Sequence, residues 1–365
     1  MTTVRRPEQV RAATRQGAYF ARRAQWSTAA SPRPSKMSSV VVSVHVVSVR
    51  RVYLDQFAWL QLSRVHYGKS TGTALDDVLA IVKSSVSMGL ASYPLSAAHY
   101  QETYRRGDPE SRRRLGAFMA EISQCHTIAG PADVLRSEVE IGLHHLAKLA
   151  PPPMTRVFGV GYAHAFGLES PDYETNEDLW RRLVGVMGRE KAVELWETLL
   201  LTGPDERLPS GDIQLPTRTY DQRQLDFERQ TAVTLQQEGH SADLARRLVL
   251  DQEAGDVIKL VCELNTQLGL DVNSLLGTDA QLTPFLLSLP AKGTISRMRY
   301  VSHQNPKFKR DVNDLTDLTA LGMAAGYCDI VVAEKHWGAL LDRFSDRYPA
   351  RVIRRLTDLP QALVD

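Results

Sequence analysis

Six acidic side chains stand beside the predicted strands and helices of this chain and have the chemistry of metal ligands. They are Asp55, Glu102, Asp314, Asp317, Asp329 and Glu334. Several carboxylates at one place repel each other unless a cation lies between them. Hard divalent ions prefer such all-oxygen sites, so the pattern predicts binding of Mg²⁺ or Mn²⁺. Two such ions would activate a water molecule and stabilise the leaving oxygen in the hydrolysis of a phosphodiester bond.

The first two of these acids belong to the N-terminal part of a predicted α/β unit. An apolar, β-branched run continues through residues 51–54 and predicts a buried strand, with Asp55 at its carboxyl end. Residues 93–96 are predicted as a second short strand, and residues 125–129 as a third. Ser96 is a suitable N-cap for a helix that carries Glu102. Both acids are therefore expected to follow strands of one sheet.

The other four acids belong to the last predicted helix and the strand that follows it. Residues 313–326 predict a strong helix that carries both Asp314 and Asp317 on one face. The next strand begins after Asp329 and ends before Glu334. In an open α/β sheet, functional groups collect outside the carboxyl ends of the strands. The acid that follows this strand is therefore expected to lie near the acid that follows the first strand.

Each acid also has an ordinary structural explanation. Asp314 suits the N-terminal dipole of its helix, Glu102 suits a surface pair with a neighbouring arginine, and Asp329 suits a turn before a strand. For any one position this explanation is the simpler one. The whole set in this order is what indicates a functional site.

The predicted elements divide the chain into an α/β unit and a helical insertion. Residues 1–39 have the composition of a disordered basic tail. Residues 40–150 and 291–365 alternate helices with short strands, which predicts an α/β fold with a mostly parallel sheet. Residues 151–290 begin with three consecutive prolines, show helical spacing of apolar side chains and contain no convincing strand. We therefore expect an all-helical insertion there.

Three segments resemble the motifs of the PIN-domain nuclease superfamily. The segments are VYLDQFAWL around Asp55, YPLSAAHYQET around Glu102, and NDLTDLTALGMAAGYCDIVVAEKHW from Asn313. The resemblance covers residues 50–150 and 310–358. It implies a three-layer α/β/α sandwich with a mostly parallel central sheet. It also implies a metal-dependent endonuclease that cleaves RNA, less often DNA, and uses Mg²⁺ or Mn²⁺.

The resemblance implies catalytic and metal-binding roles for three acids, namely Asp55, Glu102 and Asp317. The chain departs from the family pattern after the last motif strand. Ala333 stands where the family has threonine, and Lys335 stands where the family has a fourth aspartate. Asp329 and Glu334 are the available substitutes for that aspartate, and Asp314 adds a further acid on the helix.

A basic segment directly precedes the acidic helix. Residues 291–310 contain six cations and no acid, with Tyr300 and Phe308 between them. The cations are Lys292, Arg297, Arg299, Lys307, Lys309 and Arg310. Cations interleaved with aromatic side chains bind phosphates and stack bases, so we expect this segment to bind RNA or single-stranded DNA. A solvated loop explains the segment equally well. A second cluster of cations follows Glu102, and a polar helix face explains it as well as phosphate binding does: Arg105, Arg106, Arg112, Arg113 and Arg114.

Charge and composition limit the remaining classes. The net charge is +2, but residues 1–51 hold ten Lys or Arg and a single acid, so the rest of the chain is mildly acidic. The overall charge is therefore no argument for nucleic-acid binding. The apolar run 40–49 is too short to cross a bilayer. We expect a soluble, cytoplasmic protein without a membrane partner, whose three cysteines are buried thiols: Cys125, Cys262 and Cys328.

Two other functional interpretations remain open. The missing fourth aspartate favours a catalytically degenerate PIN-like module that binds RNA or protein. Alternatively, the α/β core carries residues 151–290 as an interaction domain. In the nuclease interpretation, the insertion is expected to form a lid, a homodimer surface or a platform for a protein partner.

Overall fold

The computed structural model describes residues 49–69, 72–154, 156–168, 177–202, 218–305 and 311–365. The chain divides into two units, residues 1–46 and 47–365, and every described residue belongs to the second unit. The predicted basic tail and the start of the first predicted strand therefore lie outside the described residues. No helix within the described ranges is long and apolar enough to span a lipid bilayer.

Six short strands in the described residues form two sheets. The strands are β1 (Arg50–Leu54), β2 (Ala91–Ser92), β3 (His126–Ile128), β4 (Phe158–Val160), β5 (Ile330–Val332) and β6 (Arg351–Ile353). Four of them form a parallel sheet in the order β2-β1-β5-β6, and β3 pairs with β4 in an antiparallel sheet. The predicted α/β class is confirmed, with helices making up most of the described chain.

Helices connect and surround these strands. The first six are α1 (Gln56–His66), α2 (Thr73–Ser87), α3 (Ala97–Tyr104), α4 (Pro109–Ser123), α5 (Pro131–Leu146) and α6 (Tyr162–Phe166). The next six are α7 (Glu177–Met187), α8 (Arg189–Thr202), α9 (Arg218–Glu238), α10 (Ala242–Leu268), α11 (Val272–Leu276) and α12 (Asp279–Ser288). The last four are α13 (Pro290–His303), α14 (Val312–Tyr327), α15 (Lys335–Leu341) and α16 (Leu359–Val364). Two 3₁₀ helices, Asp342–Arg347 and Leu356–Asp358, flank β6.

The central strands are buried on both faces of the parallel sheet. Val52 and Leu54 of β1 pack in one apolar core, together with side chains of α1, α2 and α4. Tyr53 between them packs in a second core with side chains of α13, α14 and α15. Side chains alternate between the two faces of a strand, so helices cover the sheet on both sides. The continuous β-branched and apolar run in the sequence reflects this burial.

Two of the predicted strands differ in position or pairing, and the structure contains one strand that the sequence pattern does not predict. The second strand is Ala91–Ser92 rather than residues 93–96, because only the backbone before Tyr93 pairs with β1. The third strand lies outside the parallel sheet and pairs with β4. The expectation that residues 151–290 contain no strand is wrong at Phe158–Val160. A three-residue strand is too short to show an alternating pattern, and its partner lies far away in the sequence.

The helical segment is packed onto the α/β unit rather than separate from it. Val257 and Val261 of α10 and Phe285 of α12 share a core with Val139 and Leu143 of α5. The polypeptide then enters α13, so the first part of the predicted basic segment is a helix and not a loop.

The cysteines do not all follow the expected burial. Cys125 and Cys328 are buried free thiols, as expected, whereas Cys262 is an exposed free thiol on α10. The expectation of burial is wrong for Cys262 because it lies on the outer face of a long helix, where the one-dimensional pattern around it is largely apolar.

Candidate functional site

Asp55 is fixed where β1 ends and α1 begins. Its amide donates to the carbonyl of Val332 (3.0 Å), which continues the pairing of β1 with β5. Its Oδ1 accepts from the amide of Gln56 (2.7 Å), so the carboxylate caps α1. Its Oδ2 accepts from the amide of Glu334 (3.3 Å), the residue after Ala333 at the end of the neighbouring strand. Both carboxylate oxygens are thus held by backbone donors at the carboxyl edge of the sheet.

His99 places the helix that carries Glu102. The helix begins with a capping box in which Nδ1 of His99 accepts from the amide of Ser96 (2.9 Å). Nε2 of His99 lies 2.9 Å from the carbonyl of Leu54, which only accepts, so Nε2 carries the proton and donates it. Burial lowers the pKa of His99 to about 4, which keeps the ring neutral. Glu102 lies three residues after His99 on the same face of this helix, near Asp55, which directly follows Leu54.

Asp317 lies in the second turn of α14, three residues after Asp314, which completes the capping box of this helix. Asp311 caps the helix by accepting from the amides of Asn313 (2.7 Å) and Asp314 (3.0 Å). Oδ2 of Asp317 accepts a hydrogen bond from Nε1 of Trp337 on α15 (3.2 Å). The indole of Trp337 is buried, so this bond joins the acid to a rigid part of the core.

The charges of these acids act on one another. Burial, with the charge of Glu334, raises the pKa of Asp55 to about 6, although its two backbone hydrogen bonds lower it. Burial, followed by the charges of Asp317 and Asp55, raises the pKa of Glu102 to about 8, while Arg105 acts in the opposite direction. Burial, followed by the charge of Asp55, raises the pKa of Asp317 to about 7. The three acids, with Glu334, therefore share one region of negative charge.

The remaining two predicted acids, Asp329 and Asp314, make hydrogen bonds away from this region. Asp329 lies before β5, at the opposite edge of the sheet, where its Oδ2 accepts from the amide of Arg51 (2.7 Å). Its assignment as a metal ligand is corrected on this ground, since it is at the wrong end of a parallel strand. Oδ2 of Asp314 accepts from the amide of Asp311 (2.8 Å) as part of the helix cap. The charge of Asp314 still reaches Asp317 and raises its pKa. Of the two substitutes named for the fourth aspartate, Glu334 is the one at the carboxyl edge of the sheet, with its amide bonded to Asp55.

The donor chemistry of Asp55, Glu102, Asp317 and Glu334 fits a hard divalent cation. All four supply carboxylate oxygens, and the region that they share contains excess negative charge that a cation would compensate. Their present side-chain positions are wider than a coordination shell. In the described part of the chain, no three His, Cys, Asp or Glu side chains lie together as ligands of one ion.

Two of the predicted phosphate-binding cations are buried in ion pairs. Lys292 pairs with Glu253, and Arg299 pairs with both Glu253 and Glu228 (2.6 Å to Oε1 of Glu228). His303 extends this network, with Nε2 2.5 Å from Oε2 of Glu228. Lys292 is 7% exposed and Arg299 is 3% exposed. The expectation that these two cations bind nucleic acid is therefore corrected, because acids from α9 and α10 already compensate them away from solvent.

The other predicted cations give a mixed result. Arg297 is half-buried, and its Nη2 donates to the carbonyl of Leu287 (3.0 Å). Lys307, Lys309 and Arg310 lie outside the described residues. Beside the acids, the exposed Arg105 ends the helix that carries Glu102, and its Nη1 donates to Oδ1 of Asn313 (3.3 Å).

Sequence reasoning missed two side chains that organise the site, His99 and Trp337. Each lies inside a quoted motif, AAHYQET or EKHW, and each acts by a hydrogen bond that positions a backbone or an acid. The available signal for His99 is its position three residues after Ser96, where Glu or Gln usually completes a capping box. Trp337 gives no comparable signal, since a tryptophan in a short helix usually packs in the apolar core.

No family model, curated protein or solved structure matches this chain.

Proposed function

We propose that this protein is a metal-dependent endonuclease that hydrolyses phosphodiester bonds in RNA, with Mg²⁺ or Mn²⁺ as the cofactor. The observation that carries the proposal is the shared negative region of Asp55, Glu102, Asp317 and Glu334 at the carboxyl edge of the parallel sheet. The resemblance of the surrounding segments to PIN-domain nucleases supports it. So does the coverage of the sheet by helices on both faces, which suits the three-layer α/β/α sandwich of that superfamily.

Four residues would hold the metal in this proposal. Asp55, Glu102 and Asp317 supply the principal carboxylates. Glu334 takes the role of the fourth aspartate of the PIN-domain pattern, because Lys335 stands at the position of that aspartate. A bound divalent ion supplies activation of water and compensation of charge on the leaving oxygen. The proposal uses no covalent nucleophile on the protein.

The chain's own groups prepare the site before the cation binds. The amides of Gln56 and Glu334 orient the two oxygens of Asp55. Trp337 holds one oxygen of Asp317. The pKa of Glu102, about 8, means that this acid holds its proton more tightly than an ordinary glutamate in the absence of a cation. Cation binding is therefore coupled to proton release, as expected when ligands must be deprotonated.

RNA cleavage with and without these carboxylates tests the proposal. Purified protein is incubated with labelled RNA and Mn²⁺ or Mg²⁺, beside Asp55→Asn, Asp317→Asn and a chelator control. We expect cleavage by the wild-type chain only, with all variants folded. Calorimetric titration with Mn²⁺ in buffers of different ionisation enthalpy measures the released protons. Equal cleavage by wild type and both variants contradicts the site assignment.

A catalytically degenerate module that binds RNA or protein is the second candidate. Two observations favour it: Lys335 occupies the place of the fourth aspartate, and the acids in the described ranges are not gathered around one ion position. Affinity for Mn²⁺ separates the candidates. Millimolar or weaker binding, together with no cleavage of RNA, favours the degenerate module.

A further inference from the structure

One exposed cation lies between the two elements that carry the central acids. Arg105 is the C-cap residue of α3, three positions after Glu102, and its amide donates to the carbonyl of Gln101 (3.1 Å). Its guanidinium reaches the first turn of α14, where Nη1 donates to Oδ1 of Asn313 (3.3 Å). Asn313 stands four residues before Asp317 on that helix. The guanidinium thus bridges the helices of Glu102 and Asp317.

The donors of this guanidinium exceed its partners. An arginine has five N–H donors in a planar fork, and the hydrogen bond to Asn313 uses one of them. The guanidinium lies at the exposed rim of the acidic region. A phosphodiester chain that enters this region is repelled by the carboxylates, so a cation at the rim is needed to hold it. Guanidinium groups bind phosphates by two parallel hydrogen bonds, which fixes orientation as well as charge.

The neighbouring arginines are committed to other partners. Arg112 is buried, and its Nε donates to the carbonyl of Thr202 (2.6 Å). Arg113 and Arg114 on α4 pair with Glu110, at 2.9 Å and 2.6 Å. Arg106, the next residue, is half-buried, and its Nη2 donates to Oγ of Ser111 (3.0 Å). Arg105 is thus the exposed arginine that bridges the helices of Glu102 and Asp317, with guanidinium donors beyond the one that Asn313 accepts.

We propose that Arg105 binds a backbone phosphate of the RNA substrate next to the carboxylates, and thereby sets the register of the strand in the site. This inference rests on the proposed function for its substrate, although the binding it describes is measurable without cleavage. Arg105 acts on affinity and alignment, and the carboxylates act on the bond that is broken. The two roles are therefore separable by experiment.

Binding of a short fluorescein-labelled single-stranded RNA tests this role. Anisotropy titrations use the full chain with Mg²⁺ in an Asp317→Asn background, so that the RNA stays intact. We expect Arg105→Gln to raise Kd about tenfold, the loss typical of a hydrogen bond to a charged group. The slope of log K against log salt falls by about 1, because one phosphate contact is lost. Arg105→Lys keeps the salt slope, since it keeps the charge, and gives an intermediate Kd.

Arg113→Gln is the matched control, because it removes the same charge from an exposed arginine on the next helix. We expect it to leave Kd within about twofold and the salt slope unchanged. Equal Kd values and slopes for Arg105→Gln and Arg113→Gln overturn the proposal, as does a parent chain that binds no RNA. RNA binding that depends on Arg105, in a wild-type chain that cleaves no RNA, supports the role of Arg105 and refutes the nuclease.

Discussion

The amide of Glu334 donates a 3.3 Å hydrogen bond to Oδ2 of Asp55. The bond joins the carboxyl ends of β1 and β5, so two acids separated by most of the chain are held at one edge of the sheet. It also places the backbone of Glu334, but not that of Lys335, in direct contact with Asp55. The backbone of Glu334 positions Asp55, while its side chain adds charge to the same region.

Replacement of Asp55 by asparagine is expected to separate catalysis from folding. Asparagine retains an oxygen that accepts from the amide of Gln56, so the cap of α1 is preserved. Removal of a buried charge among like charges leaves the melting temperature at pH 8 equal or higher. RNA cleavage with Mn²⁺ falls by more than about a hundredfold, since changes outside the ligand shell alone cost 10–100-fold in other metal sites.

The control for this variant is Asp329→Asn. It removes a predicted metal-ligand aspartate from the opposite edge of the sheet, and its amide side chain still accepts from the amide of Arg51. We expect full cleavage by Asp329→Asn. An equal loss of activity in the two variants contradicts the placement of the site at the carboxyl edge.

The metal-free protein is expected to lose stability as the pH rises from about 6.5 to about 8. The folded pKa values of Asp317 (about 7) and Glu102 (about 8) lie above their ordinary values of 3.8 and 4.5. The native state therefore binds more protons than the unfolded state in this range, so the free energy of unfolding falls with pH. His99 and His303 act in the opposite direction, but only below their ordinary value of 6.5.

Thermal melts across this range, with a chelator or with Mg²⁺, measure the effect. We expect Glu102→Gln to flatten the chelator curve and Mg²⁺ to raise the melting temperature more at pH 8 than at pH 6.5. A chelator curve that is flat, or that rises with pH, contradicts the electrostatic coupling of the acids.

Sequence reasoning located β1, β5 and α14 because each is a local pattern. The apolar run before Asp55 and the helical spacing around Asp317 need no knowledge of remote partners. The burial of Lys292 and Arg299 could not be predicted in this way. Their compensating acids, Glu253 and Glu228, lie 46 and 71 residues from Arg299. A local run of cations looks the same whether it faces solvent or buried acids.

The buried network between α9, α10 and α13 is expected to be essential for folding. Burial acts to raise the pKa of Glu253, but the charges of Arg299 and Lys292 hold it at about 2. Glu253→Gln leaves these two cations with one acid fewer in the core. Removal of one partner from a buried ion pair costs about 3–5 kcal/mol, which is the loss of unfolding free energy that we expect by urea denaturation.

Asp256→Asn provides the comparison within the same network. Asp256 lies 3.7 Å from the ammonium group of Lys292, but its side chain is 48% exposed. A solvent-exposed ion pair contributes about 0–1 kcal/mol, so this variant is expected to unfold close to the wild-type midpoint. Similar losses in Asp256→Asn and Glu253→Gln are incompatible with a buried, mutually compensating network.

Trp337→Phe is expected to raise the pKa of Asp317 further. The indole Nε1 donates to Oδ2 of Asp317 and thereby lowers the pKa of that carboxyl, so a ring without this donor removes the stabilisation of the charged form.

Trp59→Phe is the matched control, because Trp59 is equally buried and its indole nitrogen has no hydrogen-bond partner. Both variants lose the same ring atoms from a packed core, so comparable decreases in melting temperature are expected. Carboxylate titration by NMR, and the acid limb of the cleavage profile, then move to higher pH in Trp337→Phe alone. A shift of equal size in Trp59→Phe assigns the effect to packing, and the absence of a shift in Trp337→Phe refutes the role of the indole donor.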